Sequence, residues 1–339
     1  MSRLLFRTRG GPTQGWGNVV RLASFAAWCH GRGHSDPVFL AEGPEEVREY
    51  LQHRGFETHL LADGASLASE QALLEGLGPV DLCVVEMLDV GLERQRLLRR
   101  YAGGLVVFDD LCDQVFDADL VVCGQSLPNH SNRLLGSPST RYLVGPDYFL
   151  CRPEFLAQAA GPRVHRPAIG EILVTMGGGD YATGYLKAAM GIAALENQPH
   201  TTFVLGPGGL RIDDQLREIL PDATVLGGVD DLPRRLWDCD VVIAGAGYTK
   251  LEAALLGTPL LLISAQWHQI PLAKCFADAC GAVDLGYRSY VTPEAVTGAL
   301  QELESVGARE QLAVRLQETV DGRGFERVYS AMTDLLIGA

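Results

Sequence analysis

Short apolar segments alternate with helix-forming segments along the 339-residue chain, and this alternation constrains the fold more than any other feature. The apolar segments that predict strands are residues 4–6, 38–40, 82–85, 105–108, 120–122, 172–175, 202–205, 223–226, 241–244 and 260–263. The segments with helical spacing are residues 19–29, 44–53, 66–77, 92–101, 181–195, 213–220, 232–237 and 249–256. Strands that alternate with helices in this way predict an α/β fold, with parallel sheets covered by helices on both faces.

The chain is long enough for about two domains, each with its own hydrophobic core. Residues 157–167 are rich in small, proline and basic residues and show no apolar period, so they predict a domain boundary. We therefore expect a Rossmann-like domain at residues 1–160, a second one at 165–318 and a terminal helix at 319–339.

Residues 245–259 combine a glycine turn with the start of a helix. Gly245 and Gly247 follow the apolar segment 241–244, and apolar residues then recur at helical spacing. Free N–H groups and the helix dipole at such a start both favour a phosphate. Glu252 lies in the first helical turn, where its carboxylate is placed to accept hydrogen bonds from a ribose. The alternative is an ordinary strand-to-helix connection, because a lone G-x-G is a weak signal.

Two further glycine turns lie between a strand and a helix. One is Gly-Gly-Gly-Asp at residues 177–180, and the other spans residues 10–17 near the N-terminus. None of the three turns has the Gly-Lys-Ser/Thr of a P-loop or the G-x-G-x-x-G of a dinucleotide site, which predicts a nucleotide ligand other than NAD. Ligands of open α/β sheets bind beyond the carboxyl ends of the strands. We therefore expect the two domains to face each other across a cleft whose walls carry these turns.

Charge and composition argue against several classes of function. The formal net charge of −14 disfavours non-specific nucleic-acid binding and docking to an anionic membrane surface. No apolar run is long enough for an integral membrane segment, and no signal peptide is visible at the start. The eight cysteines form no CxxC pair and predict buried free thiols in a cytoplasmic protein. No grouping of His, Cys and Asp has metal-ligand spacing, and no cofactor is expected.

Several motifs, in the same order, resemble those of the nucleotide-sugar hydrolases of pseudaminic acid biosynthesis. Residues 15–21 (GWGNVVR) are similar to the G-x-G-H-x-x-R loop of that family, and residues 143–155 to its G-P-x-Y…R-x-E-F segment. Residues 176–180 resemble its M-G-G-x-D turn, and residues 320–324 its closing D-G-x-G. The resemblance covers residues 4–327 and implies the GT-B fold, in which two Rossmann-like domains face across a cleft.

The same resemblance implies that the C-terminal domain holds UDP and that the N-terminal loop faces the sugar. The glycine turns and the resemblance together indicate nucleotide- and substrate-binding roles for Gly15, Gly17, Arg21, Tyr148, Gly178, Gly179, Asp180, Gly206, Ala246, Gly247, Tyr248, Thr249, Glu252 and Gln269.

The chain departs from the family at its catalytic position. The family has a histidine after the second glycine of the N-terminal loop, and this chain has Asn18. A histidine takes a proton near neutral pH, whereas an amide does not titrate there and is limited to orienting a water or a hydroxyl group. The alternative is that Asn18 only caps the following helix, a position where asparagine is favoured.

Other residues are candidates for the missing base. Asp109 and Asp110 follow the apolar segment 105–108, and Glu86 follows 82–85 in the same way. His268 follows the segment 260–263 in the nucleotide-binding half and resembles the family's loop near the sugar and phosphates. The alternatives are that the two aspartates cap a turn and that His268 is an ordinary solvent-facing residue.

We therefore expect an enzyme of glycan biosynthesis, acting on a surface polysaccharide of the nonulosonic acid type or on flagellin. It would break the bond between the anomeric carbon of a nucleotide sugar, most simply a UDP-sugar, and the diphosphate. Asn18 favours a glycosyltransferase with a glycan or protein acceptor, because an organised hydroxyl group needs less activation than water. The alternatives are the UDP-sugar hydrolase of pseudaminic acid biosynthesis and a catalytically silent protein that binds nucleotide sugars.

Overall fold

The computed structural model describes residues 2–11, 15–128, 135–136, 138–161, 163–177, 181–206 and 212–338. The chain divides into two compact units. The first unit consists of Met1–Arg152 together with Arg323–Ala339, and the second unit of Pro153–Gly322.

The strands, in chain order, are β1 (Leu4–Arg9), β2 (Val38–Glu42), β3 (Glu57–Leu61), β4 (Val80–Glu86), β5 (Ala102–Phe108), β6 (Val115–Phe116), β7 (Leu120–Cys123), β8 (Leu135–Gly136), β9 (Arg141–Val144), β10 (Glu171–Thr175), β11 (His200–Leu205), β12 (Thr224–Gly227), β13 (Val241–Gly245), β14 (Leu260–Ser264) and β15 (Val283–Tyr287). The first unit contains a seven-stranded sheet in the order β3-β2-β1-β4-β5-β7-β9 and a small pair of β6 with β8. The second unit contains a six-stranded sheet in the order β12-β11-β10-β13-β14-β15.

The helices are α1 (Gly17–His30), α2 (Glu45–Gln52), α3 (Leu67–Leu77), α4 (Leu92–Arg99), α5 (Pro153–Ala159), α6 (Ala182–Ala193), α7 (Asp213–Ile219), α8 (Leu232–Asp238), α9 (Thr249–Leu255), α10 (Gln269–Cys280), α11 (Pro293–Glu302), α12 (Val306–Thr319) and α13 (Gly324–Gly338). A 3₁₀ turn covers Pro146–Tyr148. All strand pairs in both large sheets are parallel, so the α/β prediction is confirmed.

The two faces of the first sheet carry different buried side chains. On one face, alternate residues such as Leu4 and Phe6 pack with residues of α1 and α13 in one apolar core. On the other face the buried Arg7 pairs with Glu42 and Glu70, at 2.5 and 2.7 Å. A buried charge is tolerated only with such partners, so this network fixes how α3 lies against the sheet.

The predicted domain boundary differs from the observed one. The division falls at Arg152 and Pro153, before the proline-rich stretch, because α5 packs against α8 and α9 of the second unit. The terminal helix also begins later than predicted, and its Phe325, Val328 and Met332 are buried in the core of the first unit. Among the described residues, no helix is long and apolar enough to cross a membrane.

Candidate functional site

The carboxyl edge of the first sheet holds a small recess of about 40 Å³ that opens to solvent. It lies where β4 and β5 end and where α1 begins after β1. The strand order reverses between β1 and β4, and ligands of open α/β sheets bind at such a point. The lining residues are Asn18, Arg21, Glu86, Met87, Leu88, Phe108, Asp109, Asp110, Leu111 and Asp113. The structure therefore brings five of the predicted site residues together: Asn18, Arg21, Glu86, Asp109 and Asp110.

Asn18, Arg21 and Glu86 form a chain of hydrogen bonds inside the recess. Arg21 donates from Nη2 to Asn18 Oδ1 at 3.1 Å and from Nε to Glu86 Oε1 at 2.6 Å. The Arg21 Nη2 group also contacts Glu86 Oε1. The alternative interpretation of Asn18 as a helix cap is wrong, because Trp16 is the N-cap residue of α1 and Asn18 lies within the first turn.

Glu86 ends strand β4 with its side chain almost wholly buried, at 3% exposure. Burial raises the pKa of Glu86 to about 7, while the charge of Arg21 acts in the opposite direction and that of Asp110 raises the pKa further. Its Oε2 atom is buried and has no hydrogen-bond partner among the described residues. The same holds for Oγ1 of Thr8, which pairs with Glu86 across β1 and β4 and so lies on the same face of the sheet.

Asp109 has a different environment, since both of its carboxylate oxygens are engaged. Oδ1 accepts from the backbone N–H groups of Leu111 and Cys112 at 2.9 and 2.6 Å, and Oδ2 accepts from Gln114 Nε2 at 2.7 Å. Burial raises the pKa of Asp109, and these hydrogen bonds oppose that rise. Asp109 thus holds the loop after β5, and the neighbouring Asp110 lines the recess half-buried.

The predicted N-terminal glycine turn closes on itself through its backbone. Gly11 and Gly15 exchange two hydrogen bonds, with N···O distances of 3.1 and 2.8 Å, and Gly15 has a φ of 85°. A positive φ of this size favours glycine, which explains why Gly15 occupies the turn. Gly17 is the first residue of α1 and is exposed.

Tyr148 does not line the recess. It ends the 3₁₀ turn and packs, partly buried, against the apolar core of the first unit. A Cβ atom on Gly324 would overlap the carbonyl of the adjacent Phe149, so α13 begins in direct backbone contact with this segment. Two of the motifs that carry the family resemblance thus meet in a packing contact between α13 and the 3₁₀ turn.

In the second unit, the loops after β10 and β13 lie side by side at the carboxyl edge of the sheet. A Cβ atom on Gly245 would come within 2.6 Å of the Met176 carbonyl oxygen, so only glycine allows this approach. The buried Tyr185 hydroxyl accepts from Met176 N and donates to Val204 O, each at 2.8 Å. The strand order reverses between β10 and β13, which again marks a ligand-binding position. Gly178, Gly179 and Asp180 lie outside the described residues.

The turn between β13 and α9 contains the predicted residues Ala246, Gly247 and Tyr248, and the predicted Thr249 is the first residue of α9. Sequence reasoning did not identify the neighbouring Lys250, which is fully buried. Its ammonium group donates to the carbonyls of Ala246 and Gly247 at 2.9 and 3.2 Å. Lys250 therefore fixes the positions of these two carbonyl groups from the buried side of the turn.

The predicted Glu252 lies in the first turn of α9, as expected, and is 7% exposed. Gly206 follows directly on β11, at the same edge of the sheet.

The loop between β14 and α10 contains the predicted residues Gln269 and His268. Gln269 Oε1 accepts from Ala265 N at 2.9 Å, and Gln269 Nε2 lies 3.8 Å from where a Cβ of Gly247 would be. His268 immediately precedes α10 and its side chain is exposed. The adjacent Trp267 is 60% exposed and stacks on Tyr287 with ring centres 4.1 Å apart.

Seven of the eight cysteines are buried. Over the part of the chain that the structure describes, no three His, Cys, Asp or Glu side chains group as metal ligands would. Sequence reasoning did not identify Thr8 or Asp113 as residues near the recess. Thr8 lies inside an apolar strand, and nothing in its sequence context distinguishes it from a core residue.

No family model matches the chain. The chain is 28% identical to the spore coat polysaccharide biosynthesis protein SpsG of Bacillus subtilis, over 96% of each chain. Its fold is similar to that of MurG from Acinetobacter baumannii, with a TM-score of 0.71 and 16% identity over 98% of this chain and 99% of the other. It is also similar to UDP-GlcNAc 2-epimerase from Neisseria meningitidis bound to UDP-GlcNAc, with a TM-score of 0.66 and 12% identity over 98% and 100%. The predicted GT-B-like fold of two Rossmann-like domains is confirmed.

Proposed function

We propose that this chain is a glycosyltransferase-like enzyme of polysaccharide biosynthesis that cleaves a nucleotide sugar between its anomeric carbon and the diphosphate. The observation that carries the proposal is the recess of the first unit, where Asn18, Arg21 and Glu86 form one hydrogen-bonded chain beside Asp109 and Asp110. The likeness to SpsG, a protein of spore coat polysaccharide biosynthesis, supports the assignment to a polysaccharide pathway.

The charges of the recess indicate which part of the substrate the first unit would bind. Its charged lining residues are one cation, Arg21, and four acids: Glu86, Asp109, Asp110 and Asp113. Carboxylates repel a diphosphate but accept hydrogen bonds from hydroxyl and ammonium groups. The recess therefore suits the sugar or a neutral or amino-bearing acceptor rather than the nucleotide.

The nucleotide belongs, in this proposal, to the carboxyl edge of the second sheet. The N–H groups of residues 246–249 and 178–180 would stabilise the departing diphosphate, and Glu252 would accept from the ribose hydroxyls. UDP is the proposed nucleotide, because the resemblance to UDP-sugar hydrolases and the epimerase bound to UDP-GlcNAc both support it.

A transferase is preferred to a hydrolase because Asn18 replaces the histidine with which the hydrolases activate water. The second candidate is the hydrolase of pseudaminic acid biosynthesis itself, which the shared motifs favour. In that case a carboxylate of the recess would supply the base.

The test is to incubate the full chain with UDP-, CMP- and GDP-sugars, with and without glycan or protein acceptors, and to analyse all products by mass spectrometry and NMR. We expect UDP release that requires an acceptor. Release without an acceptor would instead favour the hydrolase, and a sugar epimerised at one carbon would contradict both. Binding without any turnover would identify a silent nucleotide-sugar-binding protein.

A further inference from the structure

Glu86 combines three properties that no other described side chain of the recess shares. Its carboxylate is almost wholly buried, one oxygen is held by Arg21, and the other oxygen has no partner among the described residues. Buried polar atoms are nearly always hydrogen-bonded, so an unpartnered carboxylate oxygen in an open recess indicates a missing hydrogen-bond donor. Oγ1 of Thr8, unpartnered on the neighbouring strand, adds a second polar atom to the same place.

We propose that Glu86 is the general base of this site and accepts the proton of the attacking hydroxyl group at Oε2. The inference rests on the proposed function. The hydroxyl oxygen of the acceptor forms a bond to the anomeric carbon, and the bond from that carbon to the diphosphate oxygen breaks. Its electron pair leaves with the diphosphate, and the proton of the hydroxyl group passes to Glu86. If water is the nucleophile, the same transfer yields the free sugar.

The neighbouring candidates are less suited to this role. Both oxygens of Asp109 are occupied by Leu111, Cys112 and Gln114, so that carboxylate holds the loop after β5. Asn18 has no proton-accepting group near neutral pH and instead accepts from Arg21. A base whose second oxygen is fixed by another group is the usual arrangement of an activated nucleophile site. Arg21 is accordingly the positioning residue of Glu86.

The surroundings of Glu86 raise its pKa into the range in which a carboxylate acts as a general base near neutral pH. Burial raises its pKa to about 7, and the positive charge of Arg21 keeps it from rising further. A base of this pKa is largely deprotonated just above neutral pH and still binds a proton strongly enough to assist catalysis. The charged groups that line the recess with it are Arg21 from α1 and Asp109, Asp110 and Asp113 after β5.

The experiment compares Glu86→Gln with Glu93→Gln, an exposed carboxylate of the same unit, in the full chain. We expect Glu86→Gln to lower kcat by about 10²–10⁴-fold. The kcat of the unmodified chain should rise with pH through about 7, and this limb should be absent in the variant. Nucleotide-sugar affinity should stay within about twofold, since the amide keeps the shape of the side chain. Glu93→Gln should match the unmodified chain throughout.

A second variant separates chemistry from folding. Formate added to Glu86→Ala should restore part of the activity by acting as an external base, which a purely structural role would not allow. Glu86→Gln with unchanged kcat and an unchanged pH limb would overturn the assignment of Glu86 and leave the proposed function intact. An unmodified chain that turns over no nucleotide sugar with any acceptor would instead overturn the proposed function, and the role of Glu86 with it.

Discussion

At the scale of single residues, the buried carboxylate of Glu86 is the most consequential feature of the first unit. Burial disfavours its charged form, whereas the guanidinium of Arg21 favours it. Among the described residues that line the recess, Arg21 is the one cation, so its removal should raise the pKa of Glu86 further.

The stability of the first unit should depend on the protonation of Glu86. Its pKa in the folded chain, about 7, lies above the ordinary value of 4.5, so the folded state binds this proton more tightly than the unfolded state. The resulting stabilisation is complete below about pH 4.5 and is lost as the pH rises through 7, on the order of 3 kcal/mol in all. Urea unfolding at pH 5 and pH 8 should show this loss in the unmodified chain but not in Glu86→Gln. Equal losses in both would contradict the buried titration.

Asn18→His tests whether the loop at the start of α1 faces the reacting sugar. The imidazole would restore a base with a pKa near 6.5 at the position where the resembling hydrolases have theirs. We expect acceptor-independent hydrolysis to rise by up to about 10²-fold, with a new limb in the pH profile near that value. Asn18→Ala is the control, since it removes the contact with Arg21 without adding a base. No gain with histidine would indicate that this position does not contact the attacking water.

At the scale of elements, the two glycine-containing loops of the second unit depend on a close backbone approach. Gly245→Ala would place a Cβ atom 2.6 Å from the Met176 carbonyl oxygen, and backbone cannot yield as a flexible side chain can. We expect the free energy of unfolding to fall by about 1–3 kcal/mol, the range for overpacking. Nucleotide affinity, measured by calorimetry, should fall as well because the loops separate. Gly228→Ala, at an exposed position in open space, should leave both quantities unchanged.

The sequence predicted the central strands of both sheets and failed mainly at their edges. β3, β9 and β15 were not predicted, and each is the outermost strand of its sheet. Edge strands are partly exposed, so they lack the continuous apolar run of a strand buried on both faces. β3 reads Glu-Thr-His-Leu-Leu, and β15 contains both an aspartate and a glycine. The central strands β13 and β14 are wholly buried and were evident from composition alone.

In the recess of the first unit, the sequence predicted the acidic residues that directly follow a strand, but not their individual roles. Acidic residues directly after apolar runs identified Asp109, Asp110 and Glu86, because the carboxyl ends of parallel strands share one edge. Their different roles depend on hydrogen bonds that no local pattern contains. Asp109 is occupied by its own loop, whereas Glu86 meets Arg21, which is 65 residues away in sequence. The domain roles and the other binding residues stay predictions.

At the scale of the whole molecule, the first unit is built from both ends of the chain. The second unit, Pro153–Gly322, is inserted between β9 and α13. α13 contributes Phe325, Val328 and Met332 to the core formed by β1, β4 and α1. The first unit is therefore incomplete without the last residues of the chain.

Removing residues 323–339 should destabilise the first unit selectively. Each large apolar side chain that is lost contributes about 1.5–3 kcal/mol through burial, and a domain is stable by only about 5–15 kcal/mol. Hydrogen exchange should show lost protection in Leu4–Arg9 and Val80–Glu86, with protection retained in Val241–Gly245. Unchanged protection in the first sheet would mean that α13 is dispensable for this core.

The return of α13 to the first core also bears on biosynthesis. A nascent chain emerges from the ribosome with its N-terminal domain first, and that domain ordinarily folds first. Here the last 17 residues of the first unit, Arg323–Ala339, are translated only after the whole of the second unit. The earlier-made strands of the first unit therefore lack their final helix until the whole of the second unit has been translated. Until then, the apolar residues of the first core that pack against Phe325, Val328 and Met332 lack these partners, and such transiently exposed apolar surface favours aggregation during synthesis.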